Sequence, residues 1–218
     1  MTPRKADSGG KVSIAVPTGA LMPGALRLLA RAGVARLSAD ELGRQLLVDR
    51  ASVRVILVRP ADVPAYVDHG AADLGIVGKD ILWETPGEHY ELVDLKFGGC
   101  RLVLAVPLAS KLNGPETWPP QLRVATKYPR TASAWFEARG QAVEVVKLHG
   151  SVELAPQVGL VDAIVDLTAT GRTLKENRLR VTATLGASTA RLIANQASLK
   201  TRTAAVQAAV GRLREAAG

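Results

Sequence analysis

The chain is poor in the residues that mark several functional classes. Of its 218 residues only Cys100 is cysteine, so no internal disulfide can form and a reducing, cytoplasmic compartment is expected. Cys100 follows Gly98-Gly99 at the start of an apolar run with no histidine near it in sequence, which reads as a small core residue and not as a nucleophile. His69, His89 and His149 lack metal-ligand spacing, so no structural metal is assigned. Aromatics make up 4% of the chain, too few to build base-stacking platforms, and the 28 Lys and Arg residues are scattered instead of forming a run. The formal net charge of +8 fits a solvated basic surface, or attraction to small polyphosphates, as well as nucleic acid; charge alone does not choose. No segment approaches the ~18 uninterrupted apolar residues of a membrane span. Met1 to Gly10 is polar without an apolar centre, the pattern of a disordered leader and not of a signal peptide.

What is present is enough apolar residue, 47%, to bury one full core or two smaller ones. Strand and helix patterns alternate, which predicts an α/β fold. Strands are expected at Val12–Val16, Val53–Val58, Asp73–Val77, Arg123–Thr126, Val143–Lys147 and Val161–Asp166; Leu102–Val106 is an apolar run, and Leu179–Leu185 is a further segment after the loop. Helices are expected over Ala20–Ala32, Ala61–His69, Pro129–Arg139 and Leu199–Ala217, with another start at Gly150-Ser151-Val152-Glu153. The order suits two α/β lobes: residues 1–97 with 186–218, and residues 98–185, the last segment returning to the first.

The stretch VDAIVDLTATGRTLKEN, Val161 to Asn177, carries the strongest chemical signal. A short buried strand containing Asp166 runs into Thr168-Ala169-Thr170-Gly171-Arg172-Thr173 and then a helical pattern. Such a joint aims free backbone N–H groups and the positive end of a helix dipole at an anion. Thr170 and Thr173 add hydroxyl donors, Gly171 permits close backbone approach, and Asp166 can accept from sugar hydroxyls. A phosphate beside a ribose is the reading, with a plain helix cap as the alternative. Arg172 either adds charge at the same place or faces solvent.

Asp-x-x-x-Thr-Gly-x-Thr after an apolar strand resembles the phosphoribosyl-pyrophosphate loop of phosphoribosyltransferases. With ADVPAYVDHGAADLGIVGKDIL, LKFGGCRLVLAVP, RVATKYPR and KLHGSVELAPQVGLVDAIVDLTATGRTLKEN in this order, the chain is similar to the short form of ATP phosphoribosyltransferase of histidine biosynthesis. The resemblance implies two α/β lobes with a central cleft, like type II periplasmic binding proteins. It implies attack of adenine N1 of ATP on the anomeric carbon of phosphoribosyl pyrophosphate, with pyrophosphate leaving and Mg2+ carried by the substrates. It also implies a histidyl-tRNA-synthetase-like regulatory subunit and a homodimer within a hetero-oligomer, with neither nucleic acid nor membrane as partner. The long form's extra C-terminal regulatory domain has no room here.

On this reading Asp166, Glu153 and Arg101 are the catalytic candidates, and Asp166, Thr168, Ala169, Thr170, Gly171, Arg172 and Thr173 bind phosphoribosyl pyrophosphate. Lys79, Lys127, Tyr128, Gly150 and Ser151 line the ATP site or cleft. Several alternatives stay open. Glu153 orients ribose or metal through water, or is a helix-start carboxylate held by the dipole. Lys79, at a strand end where open α/β sheets bind ligands, meets a phosphate or closes an interlobe salt bridge. Arg59 and Asp62 form a cap and surface pair, or belong to the site.

Two departures bear on activity. Where the family commonly carries a Pro-Lys-Gly-Arg-Leu type segment, this chain has Pro17-Thr18-Gly19-Ala20-Leu21, and where it tends to carry Thr-Arg, this chain has Ala132-Ser133. Removing a charge-assisted hydrogen bond to a phosphate costs ~1.5–3 kcal/mol, so a weakened nucleotide-binding or regulatory paralogue is the alternative to an active transferase. Replacement cations would come from Arg27, Arg101 or a partner chain. A receptor for some other anion is a third reading, disfavoured by the intact loop.

Overall fold

A computed structural model describes residues 10–218; the leader expected over the first ten residues lies, up to its ninth, outside the described residues. The first half in chain order comprises β1 (Val12–Pro17), α1 (Met22–Arg31), α2 (Ala39–Leu42), β2 (Leu47–Asp49), β3 (Val53–Val58), α3 (Val63–Asp68), β4 (Leu74–Gly78), α4 (Lys79–Glu84) and β5 (Tyr90–Asp94). The second comprises β6 (Cys100–Pro107), β7 (Leu122–Thr126), α5 (Pro129–Glu137), β8 (Val143–Lys147), β9 (Ala163–Thr168), α6 (Arg172–Glu176), β10 (Leu179–Ser188), β11 (Ala190–Ala194), α7 (Gln196–Thr201) and α8 (Thr203–Ala217). Single 3-10 turns occupy Gly19–Leu21, Pro60–Asp62, Pro115–Thr117 and Val152–Leu154.

The chain forms two compact units. The first runs to Gly98 and resumes at Thr189–Gly218; the second is Gly99–Ser188. Its return point lies beyond the residue 185/186 boundary read from sequence because β10 stays paired with β6 as far as Ser188, opposite Cys100.

In the first unit six strands take the order β2-β3-β1-β4-β11-β5. β1 is parallel to both β3 and β4, while β2, β11 and β5 pair antiparallel. Alternation along β1 sends Ile14 and Val16 into one core, with Leu26 and Leu29 of α1 and Val206 and Leu213 of α8. Ala15 faces the other way, into a cluster with Val58, Val63, Val67 and Val77. Helix α1 therefore covers one face of the sheet and α3 the other. Gly33, at φ +62, ends α1 where a side chain would be strained, as its position in the sequence suggested.

The second unit holds a five-stranded sheet, β10-β6-β9-β7-β8. β7 runs parallel to β8 and β9, and β6 runs antiparallel to β9 and β10. Val103, Ala105, Ile164, Val152, Ala155 and Leu174 share a core on one face. This core roots β9, the Val152–Leu154 turn and α6 together.

Several sequence expectations change. The helix expected from Gly150 is one 3-10 turn, entered through Ser151 in the left-handed region at φ 45. The strand before the anion loop is Ala163–Thr168, so Asp166 sits inside it and not at its end. The C-terminal helix breaks at Arg202, which turns inward to pair with buried Asp73. Cys100 is half-buried at the head of β6 and is not a core residue. Strands β2, β5 and β11 and the short helices α2 and α4 had no counterpart in the pattern.

Candidate active site

Asp166 and Thr168 are two residues apart on β9 and so share the face that carries Ile164 into the core. Beyond Thr168 the chain turns sharply. Gly171, at φ +78, is the residue before α6, and its N–H donates to Thr168 Oγ1 at 2.8 Å. The Arg172 N–H reaches Thr170 Oγ1 at 3.4 Å. Buried Leu174 anchors the short helix, while Ala169, Thr170 and Thr173 stay exposed. A first helical turn has no intrahelical acceptors for its N–H groups, so this end is polarised toward whatever lies outside it. The resulting cavity holds about 170 Å3 and is lined by Glu153, Asp166–Thr170 and Arg172–Leu174.

The electrostatics of this cavity centre on Asp166. Burial pushes its carboxyl above the usual carboxylate range, and the nearby charge of Glu153 pushes the same way. The Leu167 N–H, donating to Asp166 Oδ1 at 2.8 Å, and the Lys127 charge oppose the rise. Lys127 reaches this position through strand register. β7 and β9 run parallel with Thr126 beside Val165, so the next residues, Lys127 and Asp166, stand side by side. Arg101 arrives from the other neighbour, β6, where it lies opposite Thr168. Its side chain is exposed and makes no hydrogen bond or ion pair among the described residues.

Other candidates fare differently. Tyr128 is buried at 8% exposure in the second unit. Gly150 and Ser151 are exposed beside Glu153, which is half-buried. Arg172 lines the cavity, yet its guanidinium is exposed and paired with Glu176 at 2.7 Å. Lys79 pairs with Glu91 of β5 at 2.5 Å, so its salt bridge closes within the first unit and not between lobes. Leu167 and Leu174 also line the cavity and were absent from the sequence candidates. Leu174's place three residues after Gly171, in the apolar phase of the helix, was the available signal.

Among the described residues no cluster of three His, Cys, Asp or Glu side chains could hold a metal ion, and no helix is long and apolar enough to cross a membrane.

The family model HisG, ATP phosphoribosyltransferase, matches residues 59–215. The ATP phosphoribosyltransferase of Rubrobacter xylanophilus is 52% identical over 91% of this chain and 94% of its own length. Among solved structures, an ATP phosphoribosyl transferase (HisG:HisZ) complex from Thermotoga maritima superposes with a TM-score of 0.79 at 33% identity, covering 94% of this chain and 98% of that one. The periplasmic aliphatic sulphonate binding protein SsuA from Escherichia coli gives a TM-score of 0.60 at 15% identity, over 95% of this chain and 72% of that one. The last likeness is one of fold alone, and it agrees with the two-lobed α/β architecture of the periplasmic-binding type. On the extent of the family match and the identity to the Rubrobacter relative, the chain belongs to the ATP phosphoribosyltransferase family.

Proposed function

We propose that this chain is the catalytic subunit of a short-form ATP phosphoribosyltransferase, the first enzyme of histidine biosynthesis. Adenine N1 of ATP forms a bond to the anomeric carbon of phosphoribosyl pyrophosphate as the bond to the pyrophosphate oxygen breaks. The observation that carries this reading is the β9–α6 joint, with a carboxylate and an N–H-rich loop on one small cavity.

The reaction needs alignment of two substrates and neutralisation of charge more than covalent help. The Thr170–Thr173 loop holds the 5′-phosphate on backbone N–H groups and threonine hydroxyls. Asp166 accepts from the ribose hydroxyls, and its neighbour Lys127 favours the ionised form that does so. Glu153, across the cavity, orients ribose through water. Arg101, opposite Thr168, offers an uncommitted positive charge to the leaving group. The ion pair of Arg172 with Glu176 is solvated on both sides and exchanges readily for a phosphate oxygen.

Mg2+ enters as part of the substrates. The donors at the cavity are two carboxylates, Asp166 and Glu153, hard ligands of the right kind but too few to enclose the ion, so they would hold it only together with the substrates that carry it. When bound, the metal would supply positive charge for the departing pyrophosphate, while the residues position the substrates. By likeness to the Thermotoga maritima HisG:HisZ complex, the working form is a hetero-oligomer with a HisZ-like regulatory subunit; the resemblance of the sequence makes that subunit histidyl-tRNA-synthetase-like and the assembly cytoplasmic.

The test is pyrophosphate release from ATP and phosphoribosyl pyrophosphate with Mg2+, using the chain alone and then with that subunit. Turnover in either form is the expected result. Binding of both substrates without turnover in both forms would sink the reading and leave a nucleotide-binding paralogue.

A further inference from the structure

The cavity at the β9–α6 joint has Glu153 on one wall and Arg172 and Thr173 on another. Both walls are short. The Val152–Leu154 turn is three residues long and α6 is five, too few to persist without outside support. Val152 and Leu174 root their inner sides in one core. Two amide side chains join them elsewhere. Gln157 Nε2 donates to Asn177 Oδ1 at 3.2 Å and to the Glu153 carbonyl at 3.3 Å, with a longer bond of 3.4 Å to the Asn177 carbonyl. Asn177 Nδ2 in turn donates to the Thr173 carbonyl at 2.9 Å. A line of hydrogen bonds thus runs from the backbone of Glu153 through Gln157 and Asn177 to the backbone of Thr173.

Only a donor suits the place that the Gln157 nitrogen occupies. Asn177 gives its own nitrogen to Thr173 and so turns its oxygen to Gln157, and the other two neighbours are carbonyls. The backbone on either side is held against its preference. Among the described residues three other than glycine have positive φ, and two of them border these walls. Ser151, at φ 45, enters the Glu153 turn, and Arg178, at φ 55, follows Asn177. Such residues persist where their surroundings over-determine them, and they collect at functional sites.

We infer that Gln157 is a positioning residue that, through Asn177, holds Glu153 at a fixed place across the cavity from the anion loop. This placement rests on the proposed reaction, in which Glu153 orients the ribose and the loop holds the 5′-phosphate. Two contacts on one substrate must keep their separation, and a misplacement of ~1 Å can cost roughly a hundredfold in rate.

The experiment measures kinetics and thermal melts for wild type, Gln157→Ala, Gln157→Glu and Gln157→Lys, and for Glu153→Gln with and without Gln157→Ala, in the form of the enzyme in which wild type turns over. Gln157→Ala is expected to lower kcat/KM for phosphoribosyl pyrophosphate roughly three- to tenfold. Gln157→Glu, which sets an acceptor against three acceptors, should lower it further, and Gln157→Lys, which keeps a donor, should recover part of the loss. The penalty of Gln157→Ala should shrink when Glu153 is already Gln, because the carboxylate being positioned is then gone. A Gln157→Glu variant as active as wild type would overturn the inference, since only the bulk of the side chain survives that exchange. Equal penalties of Gln157→Ala in both backgrounds would overturn it too, as would losses of activity that merely follow Tm across the series. If wild type itself is silent, the proposed function has failed and not this inference, and calorimetric binding of ribose 5-phosphate then decides. Affinity falling from wild type to Gln157→Ala to Gln157→Glu upholds the role of Gln157; equal affinities, or no binding by wild type, overturn it.

Discussion

Asp166 carries opposing demands: the proposed reaction needs its charge, and its surroundings resist that charge. Because burial raises its folded pKa, activity on the acid side should fail at a pH above the ordinary aspartate range. Lys127→Ala removes a charge that lowers this pKa, so the acid limb of kcat/KM should move to higher pH. Glu153→Gln removes one that raises it, so the limb should move lower; a limb unmoved by either change would refute the coupling. The same shift bears on stability. A group whose folded pKa is raised binds its proton more tightly when folded, so stability falls as pH climbs from the unfolded pKa through the folded one. Asp166→Asn should therefore raise Tm at neutral pH while lowering kcat/KM by roughly a hundredfold; a lowered Tm would contradict the sign. The loop around Asp166 was readable because small and hydroxyl residues after an apolar strand have few other uses. The company Asp166 keeps was not, since Lys127 comes from β7 by register and Glu153 from a turn. The burial of Tyr128 was not legible either, because a strand-end aromatic looks the same in sequence whether it is exposed or packed.

Elements were legible where one face is buried and opaque where they meet the chain's far end. β3 and β8 have the bounds their β-branched runs suggested. β5 hid because YELVD is largely polar, and β11 because it is five residues long and gains meaning only between β4 and β5. The α7–α8 break hid for a different reason. Apolar periodicity runs straight through Arg202, and nothing local says that it is drawn out of the helix by Asp73, 129 residues away. Asp73 Oδ2 accepts from Ser13 N and Oγ and from Arg202 Nη1, and its Oδ1 accepts from Ser198 Oγ. Arg202→Ala would leave that buried carboxylate without its counter-charge, a loss of about 3 kcal/mol. The melting midpoint should drop by roughly 6–12 °C for a chain of this size, and less when Asp73→Asn is already present. A midpoint unchanged by Arg202→Ala would show that the break has another cause.

For the whole molecule, an excess of eight positive charges meets substrates that are all polyanions. Long-range attraction of this kind is screened by salt. Raising ionic strength from ~0.05 to ~0.5 M should increase both KM values several-fold while leaving saturated kcat closer to constant; KM values indifferent to salt would confine the electrostatics to direct contacts. The path of the chain has its own consequence. The second unit is one uninterrupted stretch, whereas the first needs Thr189–Gly218 to supply β11 between β4 and β5 and α8 over β1. During synthesis, then, the residues that leave the ribosome first cannot finish folding until the last have followed. β5 waits without a sheet neighbour, the apolar side of α1 waits without its cover, and the later-made half reaches its native state before the earlier one. The nascent chain spends that interval with open strand edges, the condition in which chaperones are most needed.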